Sequence, residues 1–197
     1  MSDLKLADAS PQIQAAISQV ENAIQGIRWP PGADVFTIHA QSGKKSGEGN
    51  GVGPIKAAFV EQLTAFGWQP EAPFPLEATG GGSRFGPMDV SKMVDGKQFI
   101  VEWETGNISS SHRSMNKMAL GLLENAIAGG LLIVPSNKLA PFLTDRIGNI
   151  GELRPYLPLW RAVAKTSGYL GIFVVEHDFE STDVPKIRKG TDGRALR

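Results

Sequence analysis

With 197 residues, 41% of them hydrophobic, the chain has the length of one α/β domain able to bury a sizeable core. It has no cysteine, which excludes a disulfide framework, a thiolate zinc site and a cysteine nucleophile. Lysine plus arginine and aspartate plus glutamate balance at 20 each, so net charge advertises no nucleic-acid partner; an acidic site nevertheless cancels basic surfaces in such a sum, and the last fifteen residues, DVPKIRKGTDGRALR, carry five basic and two acidic side chains. No signal-peptide pattern and no apolar run near the roughly 18 residues of a membrane span are present, so no membrane partner and a cytoplasmic setting are expected.

Ser10-Pro11 reads as an N-cap with proline at the first helical position, and Ile13, Ile17, Val20 and Ile24 then recur at helical spacing to about residue 26. Pro30, Pro31 and Gly32 break the pattern, residues 35–39 read as a short strand, and 41–53 form a Gly/Ser/Lys-rich loop. Pro54 opens a second helix with Ile55, Ala58, Phe59, Leu63 and Phe66, ending at Gly67. Residues 69–86 are proline-broken, and Gly80-Gly81-Gly82 lacks the following Gly-Lys-Ser/Thr of a phosphate loop. A hairpin follows at 87–107. Next come a helix with Met115, Met118, Ala119, Leu122, Leu123 and Ala126 on one stripe, a stop at Gly129-Gly130, a buried strand at 131–134 and a helix capped by Ser136 to about 147. The stretch 149–166 is ambiguous, 169–175 is a last strand, and a short basic tail begins near 183. The pattern predicts one α/β domain over 1–197 with a mixed central sheet flanked by helices.

The hairpin PMDVSKMVDGKQFIVEWETGN carries the chemistry. Asp95-Gly96 suits a two-residue type I′ turn, which sets Asp89 directly across from Glu102, with Cβ atoms roughly 4.5–5.5 Å apart. Strand alternation then puts Gln98, Ile100, Glu102 and Glu104 on one face, and Phe99, Val101 and Trp103 on an apolar one. Three acids so placed repel one another unless a counter-ion joins them, and hard oxygen ligands suit Mg2+. The competing reading, a solvated acidic face, fits a lone Glu-x-Glu better than it fits Glu-x-Glu opposed by Asp89. Asp89, Glu102 and the backbone carbonyl of Trp103 are therefore candidate metal ligands, with Glu104 a candidate to position or deprotonate an attacking water. Nucleases of the PD-(D/E)xK type mostly place lysine where this chain has Glu104. Ser109, Ser110 and Ser111 before His112 make no triad and no nucleophile elbow, and His39 and His177 lack neighbours at zinc-ligand spacing.

VEWETGNISSSHRSMNKMALGL closely resembles the active-site strand and recognition region of the BamHI family of type II restriction endonucleases. The likeness runs in order through FTI at 36–38, GVGPIK at 51–56, GPMDV at 86–90, LTDR at 143–146, ELRPY at 152–156 and VPKIRKGTDG at 184–193. The resemblance implies a PD-(D/E)xK restriction-endonuclease-like fold and a homodimer that cleaves both strands of GGATCC after the first G, leaving 5′ four-base overhangs. It implies Mg2+ as cofactor, with Mn2+ as a substitute, and a cognate DNA methyltransferase in the host.

By the same resemblance, Glu71, Asp89, Glu102 and Glu104 form the catalytic set, with Glu71 joining the metal ligands. Asn107, Ser109, Arg113, Asp145 and Arg146 read bases, types that match guanine, adenine and cytosine edges in the major groove, although each alone is more often a helix cap or surface ion pair. Asp192 and Gly193 match minor-groove contacts. The family pattern continues as a basic helical segment beyond the point matching Gly193, whereas this sequence stops at Arg197. At the family's dimer interface Glu124 and Arg161 stand with exchanged polarity and are expected to pair across the dimer, and Trp103 replaces phenylalanine with its ring expected in the core. Two other functions compete: a repair nuclease with weak sequence preference, and a catalytically silent DNA-binding protein in which Asp89→Asn changes nothing.

Overall fold

The computed structural model describes residues 9–44, 48–76, 85–104, 106–144, 147–164 and 168–189. Helix α1 (Pro11–Gln25) starts where Ser10 Oγ accepts from the Ile13 amide at 3.2 Å, and it buries Ile13, Ala16, Val20 and Ala23. Strand β1 (Thr37–His39) and helix α2 (Gly53–Ala65) follow, the latter burying Ile55, Phe59 and Leu63 and ending before Gly67 at φ 81°. Then come β2 (Gln69–Ala72), β3 (Met88–Val94), β4 (Lys97–Trp103), α3 (Ile108–Leu123), β5 (Ile127–Pro135), α4 (Ile150–Leu153), α5 (Leu157–Ala164), β6 (Tyr169–Val175) and β7 (Phe179–Ser181).

Five strands form one mixed sheet in the order β2-β3-β4-β5-β6, antiparallel across β2-β3-β4 and parallel across β4-β5-β6. One apolar cluster joins α1 and α2 to Val90, Phe99, Val101, Trp103, Leu131 and Phe173. Another joins α3, α4 and α5 to Met88, Ile100, Leu132, Val134 and Ile172. The sheet is thus the middle of three layers, and the expected α/β arrangement with flanking helices is found.

Several expectations change. Strand β2 lies in the stretch read only as proline-broken; Pro70 is tolerated because β2 is the sheet edge, where a missing amide costs no ladder bond. Strand β7 pairs in parallel with β1 as a separate ribbon beyond the strand read as last. Ser136 does cap, accepting from the amides of Lys138 and Leu139, but only a short 3-10 turn at Ala140–Phe142 follows it. Leu123, placed on the buried stripe of α3, is 56% exposed.

Gly129 and Gly130 do not stop a helix. That role falls to the left-handed turn at Asn125 (φ 54°), and both glycines lie within β5. A Cβ at Gly129 would stand 2.6 Å from the Phe99 ring and 2.9 Å from the Tyr169 carbonyl; at Gly130 it would stand 2.5 Å from Met118 Sδ. Gly129→Ala is therefore expected to cost about 1–3 kcal/mol in urea unfolding, and Gly130→Ala less, because a thioether yields where a ladder carbonyl cannot.

Candidate active site

The turn forms as its sequence requires: Asp95 and Gly96 sit at φ 51° and 77°, and the ladder runs from Val94↔Lys97 to Val90↔Val101. Past Val90 the acids take over from the ladder. Asp89 Oδ2 accepts from the Trp103 amide at 2.7 Å, and the Asp89 amide donates to Glu102 Oε2 at 3.3 Å. Met88 and Val90 pack in opposite apolar clusters, so side-chain alternation breaks at Asp89.

The acids do not form a bare cluster on one face, as alternation alone predicted. Asp89 Oδ1 accepts from Lys56 Nζ of α2 at 2.7 Å, while Glu102 Oε1 accepts from Lys117 Nζ of α3 at 2.9 Å. The Glu102 face is also no solvent face, because α3 covers Ile100 beside it. Among the described residues no group of three or more acids or histidines is arranged to hold a metal ion. Glu71 is exposed in β2 at φ 53°, and the pairs Pro70↔Val90 and Ala72↔Met88 bracket it opposite Asp89.

Burial pushes the Glu102 carboxyl above its ordinary range, and the Asp89 charge pushes the same way; the Lys117 ammonium pulls it back. Glu104, 4% exposed, is likewise raised by burial and then by Glu102 and Asp89, against hydrogen bonds that favour its charged form. Those bonds come from Ser111 Oγ to Oε2 and from the Gly106 amide to Oε1 at 2.5 Å.

Helix α3 begins at once. Asn107 is its N-cap, accepting from the Ser110 amide at 3.3 Å, and Asn107, Ser109 and Arg113 are all exposed. Arg113 donates to Ser110 Oγ at 3.2 Å. Asp145, Arg146, Asp192 and Gly193 lie outside the described residues. The described residues flanking Asp145 and Arg146 are anchored: Thr144 donates to the Asn50 carbonyl at 3.0 Å, and Gly148 donates to the Gly106 carbonyl at 3.0 Å.

Glu124 caps the end of α3, and both it and Arg161 of α5 are exposed. The Trp103 ring is buried 5.1 Å from Phe59, as expected. His112 packs against Tyr156 at 4.4 Å and Trp160 at 5.5 Å, an interhelical stacking role that leaves it no part in serine hydrolysis.

Lys56, Lys117 and Ser111 were missed by sequence reasoning. Lys56 lies within the GVGPIK block, but no spacing rule ties any of the three to an acid on another element.

The three layers resemble the solved structure of restriction endonuclease BglII complexed with a DNA 16-mer, with a TM-score of 0.62 over 87% of this chain and 74% of that one; at 11% identity the likeness is one of fold. In sequence the chain is 45% identical over 187 residues to the type II restriction enzyme OkrAI of Oceanobacter kriegii, covering 95% of this chain and 92% of that protein. It is 37% identical over 194 residues to the type II restriction enzyme BamHI of Bacillus amyloliquefaciens, covering 94% and 84%. Fold, site and relatives together define a type II restriction endonuclease, a site-specific deoxyribonuclease. The family model "Restriction endonuclease BamHI" matches residues 2–194, and the chain belongs to the BamHI family. Restriction endonucleases of this kind generally depend on a divalent metal ion.

Proposed function

We propose that the enzyme is a homodimer that cleaves both strands of GGATCC after the first G with Mg2+, Mn2+ substituting. The observation that carries this reading is the meeting of Asp89 and Glu102 at the splayed end of the hairpin, next to the exposed start of α3. Asp89, Glu102, the Trp103 carbonyl and Glu71 supply only oxygen donors, and Lys56 and Lys117 already lend cationic charge to two of those carboxylates, so the set fits a hard divalent cation once the lysines yield. Held by these donors, such an ion would supply Lewis-acid polarisation of the scissile phosphate and charge stabilisation at the leaving 3′ oxygen.

Glu104 takes the proton of the attacking water, and its burial makes it a stronger base than an exposed carboxylate. The new bond joins water oxygen to phosphorus, and the bond from phosphorus to the 3′ oxygen breaks. Asn107, Ser109 and Arg113 face outward for base edges, and Asp145 and Arg146 complete the readout, with Asp192 and Gly193 at the minor groove. One domain carries all these groups, and a host methyltransferase protects its own sites.

A twofold dimer suits a palindrome because each subunit reads one half-site. Helices α3 and α5 pack together through the Trp160 Nε1 hydrogen bond to Asn116 (3.1 Å), and they leave Leu120, Leu123 and Leu159 exposed near Glu124 and Arg161. Glu124→Arg is expected to shift sedimentation toward monomer, and adding Arg161→Glu to restore the dimer; a double variant that stays monomeric would sink the pairing.

Digestion of a plasmid bearing one GGATCC site, with the cut ends sequenced, tests the whole reading. One double-strand cut with four-base 5′ overhangs supports it. Scattered cutting favours a repair-type nuclease, and binding without cutting favours a silent DNA-binding protein.

A further inference from the structure

Ser111 is fully buried, at 0% exposure, on the inner side of α3. At 100° per residue it points away from Ser109 and Arg113, which are exposed. Its hydroxyl donates to Glu104 Oε2, and the Gly106 amide holds the other carboxylate oxygen at 2.5 Å. The segment after Arg146 closes on the same point: Gly148 donates to the Gly106 carbonyl at 3.0 Å, and a Cβ on Gly148 would stand 2.5 Å from Ser111 Oγ. Lys117, lower on the same helix, holds Glu102. One helix thus carries outward-facing polar groups at its start and grips Glu102 of β4 and Glu104 just past it from its inner face.

We infer that Ser111 is a positioning residue that links the seating of α3 on DNA to the alignment of the Glu104 carboxylate. The inference rests on the proposed roles of Glu104 and of the α3 start. A hydroxyl-to-carboxylate bond weakens steeply once the partners move outside normal distance and angle, so a small displacement of α3 is felt at Glu104. A correctly read site seats the helix and aligns the base; a site with one wrong base pair leaves both displaced. Misplacement of a reacting group by about 1 Å can cost about a hundredfold in rate.

The test compares wild type, Ser111→Ala and Ser111→Cys in single-turnover cleavage of GGATCC and of sites differing by one base pair, with Kd for each site measured in parallel. Ser111→Ala is expected to lower the GGATCC rate about 10- to 100-fold with Kd unchanged and to leave the slow near-site rate nearly unaltered, so that discrimination falls by the same factor. Ser111→Cys, a weaker donor of similar shape, should fall between. Gly148→Ala, which crowds the same hydroxyl with Ser111 intact, should reproduce the loss when assayed below its own Tm. Unchanged rate and discrimination in Ser111→Ala, or a rate loss matched by weaker binding, overturns the inference. Failure of the wild-type enzyme to cut at GGATCC overturns instead the reading on which it rests.

Discussion

Asp89→Asn is expected to abolish cleavage while sparing the fold and DNA binding. The asparagine carbonyl can still accept from the Trp103 amide, the 2.7 Å bond that joins the splayed strands, so the hairpin end survives. The charge does not: the position that now accepts from Lys56 at 2.7 Å becomes a neutral NH2 group that cannot accept, and the proposed cation loses a ligand. Loss of about 4 kcal/mol of transition-state stabilisation lowers the single-turnover rate by about a thousandfold. Removing one negative charge beside the phosphates should leave binding in a gel-shift assay as tight as in the wild type or tighter. A variant cutting within about tenfold of wild type would show that Asp89 stands outside the chemistry.

Lys117→Met is expected to be the most destabilising single change at the site. Lys117 is 8% exposed and Glu102 9%, so removal of the ammonium leaves a buried carboxylate without its partner, a change that typically costs about 3–5 kcal/mol. The pH dependence has a definite sign. Glu102 has a folded-state pKa raised by burial and by Asp89, so what it contributes to stability is fully present below the unfolded value, about 4.3, and is lost as pH rises through the folded value. The metal-free variant should therefore unfold most easily above neutral pH and recover as pH falls. Urea unfolding at pH 8 and pH 5 checks this, and Lys117→Met combined with Glu102→Gln should regain most of the loss at pH 8, since no buried charge then remains. A cost that is equal at both pH values would mean that loss of the ammonium's contact with the face of the Phe74 ring, 5.7 Å away, dominates instead.

The hairpin shows how far a local signal reaches. Two residues able to adopt positive φ set the turn, and the turn sets the register at the offset expected from Asp95-Gly96, although the ladder stops one pair short of Asp89 and Glu102. Period-2 alternation was equally legible on β4, where Phe99, Val101 and Trp103 share one apolar cluster. It failed at Asp89, because once the ladder stops, the side-chain direction is governed by whichever groups need a hydrogen bond.

The sequence by itself determined the caps, the turn, the mixed α/β character and, through ordered motifs along the chain, the family. These depend on neighbours a few residues apart or on long stretches of shared residues. Only the tertiary structure decided which charges accompany the acids and what holds Glu104. Lys56 lies 33 residues from Asp89 and Lys117 lies 15 from Glu102, each on a helix that reaches the sheet from a different face. No periodicity encodes such pairs; they arise when apolar packing brings α2 and α3 onto the sheet, and desolvation then makes a nearby ammonium the counter-charge a buried carboxylate requires.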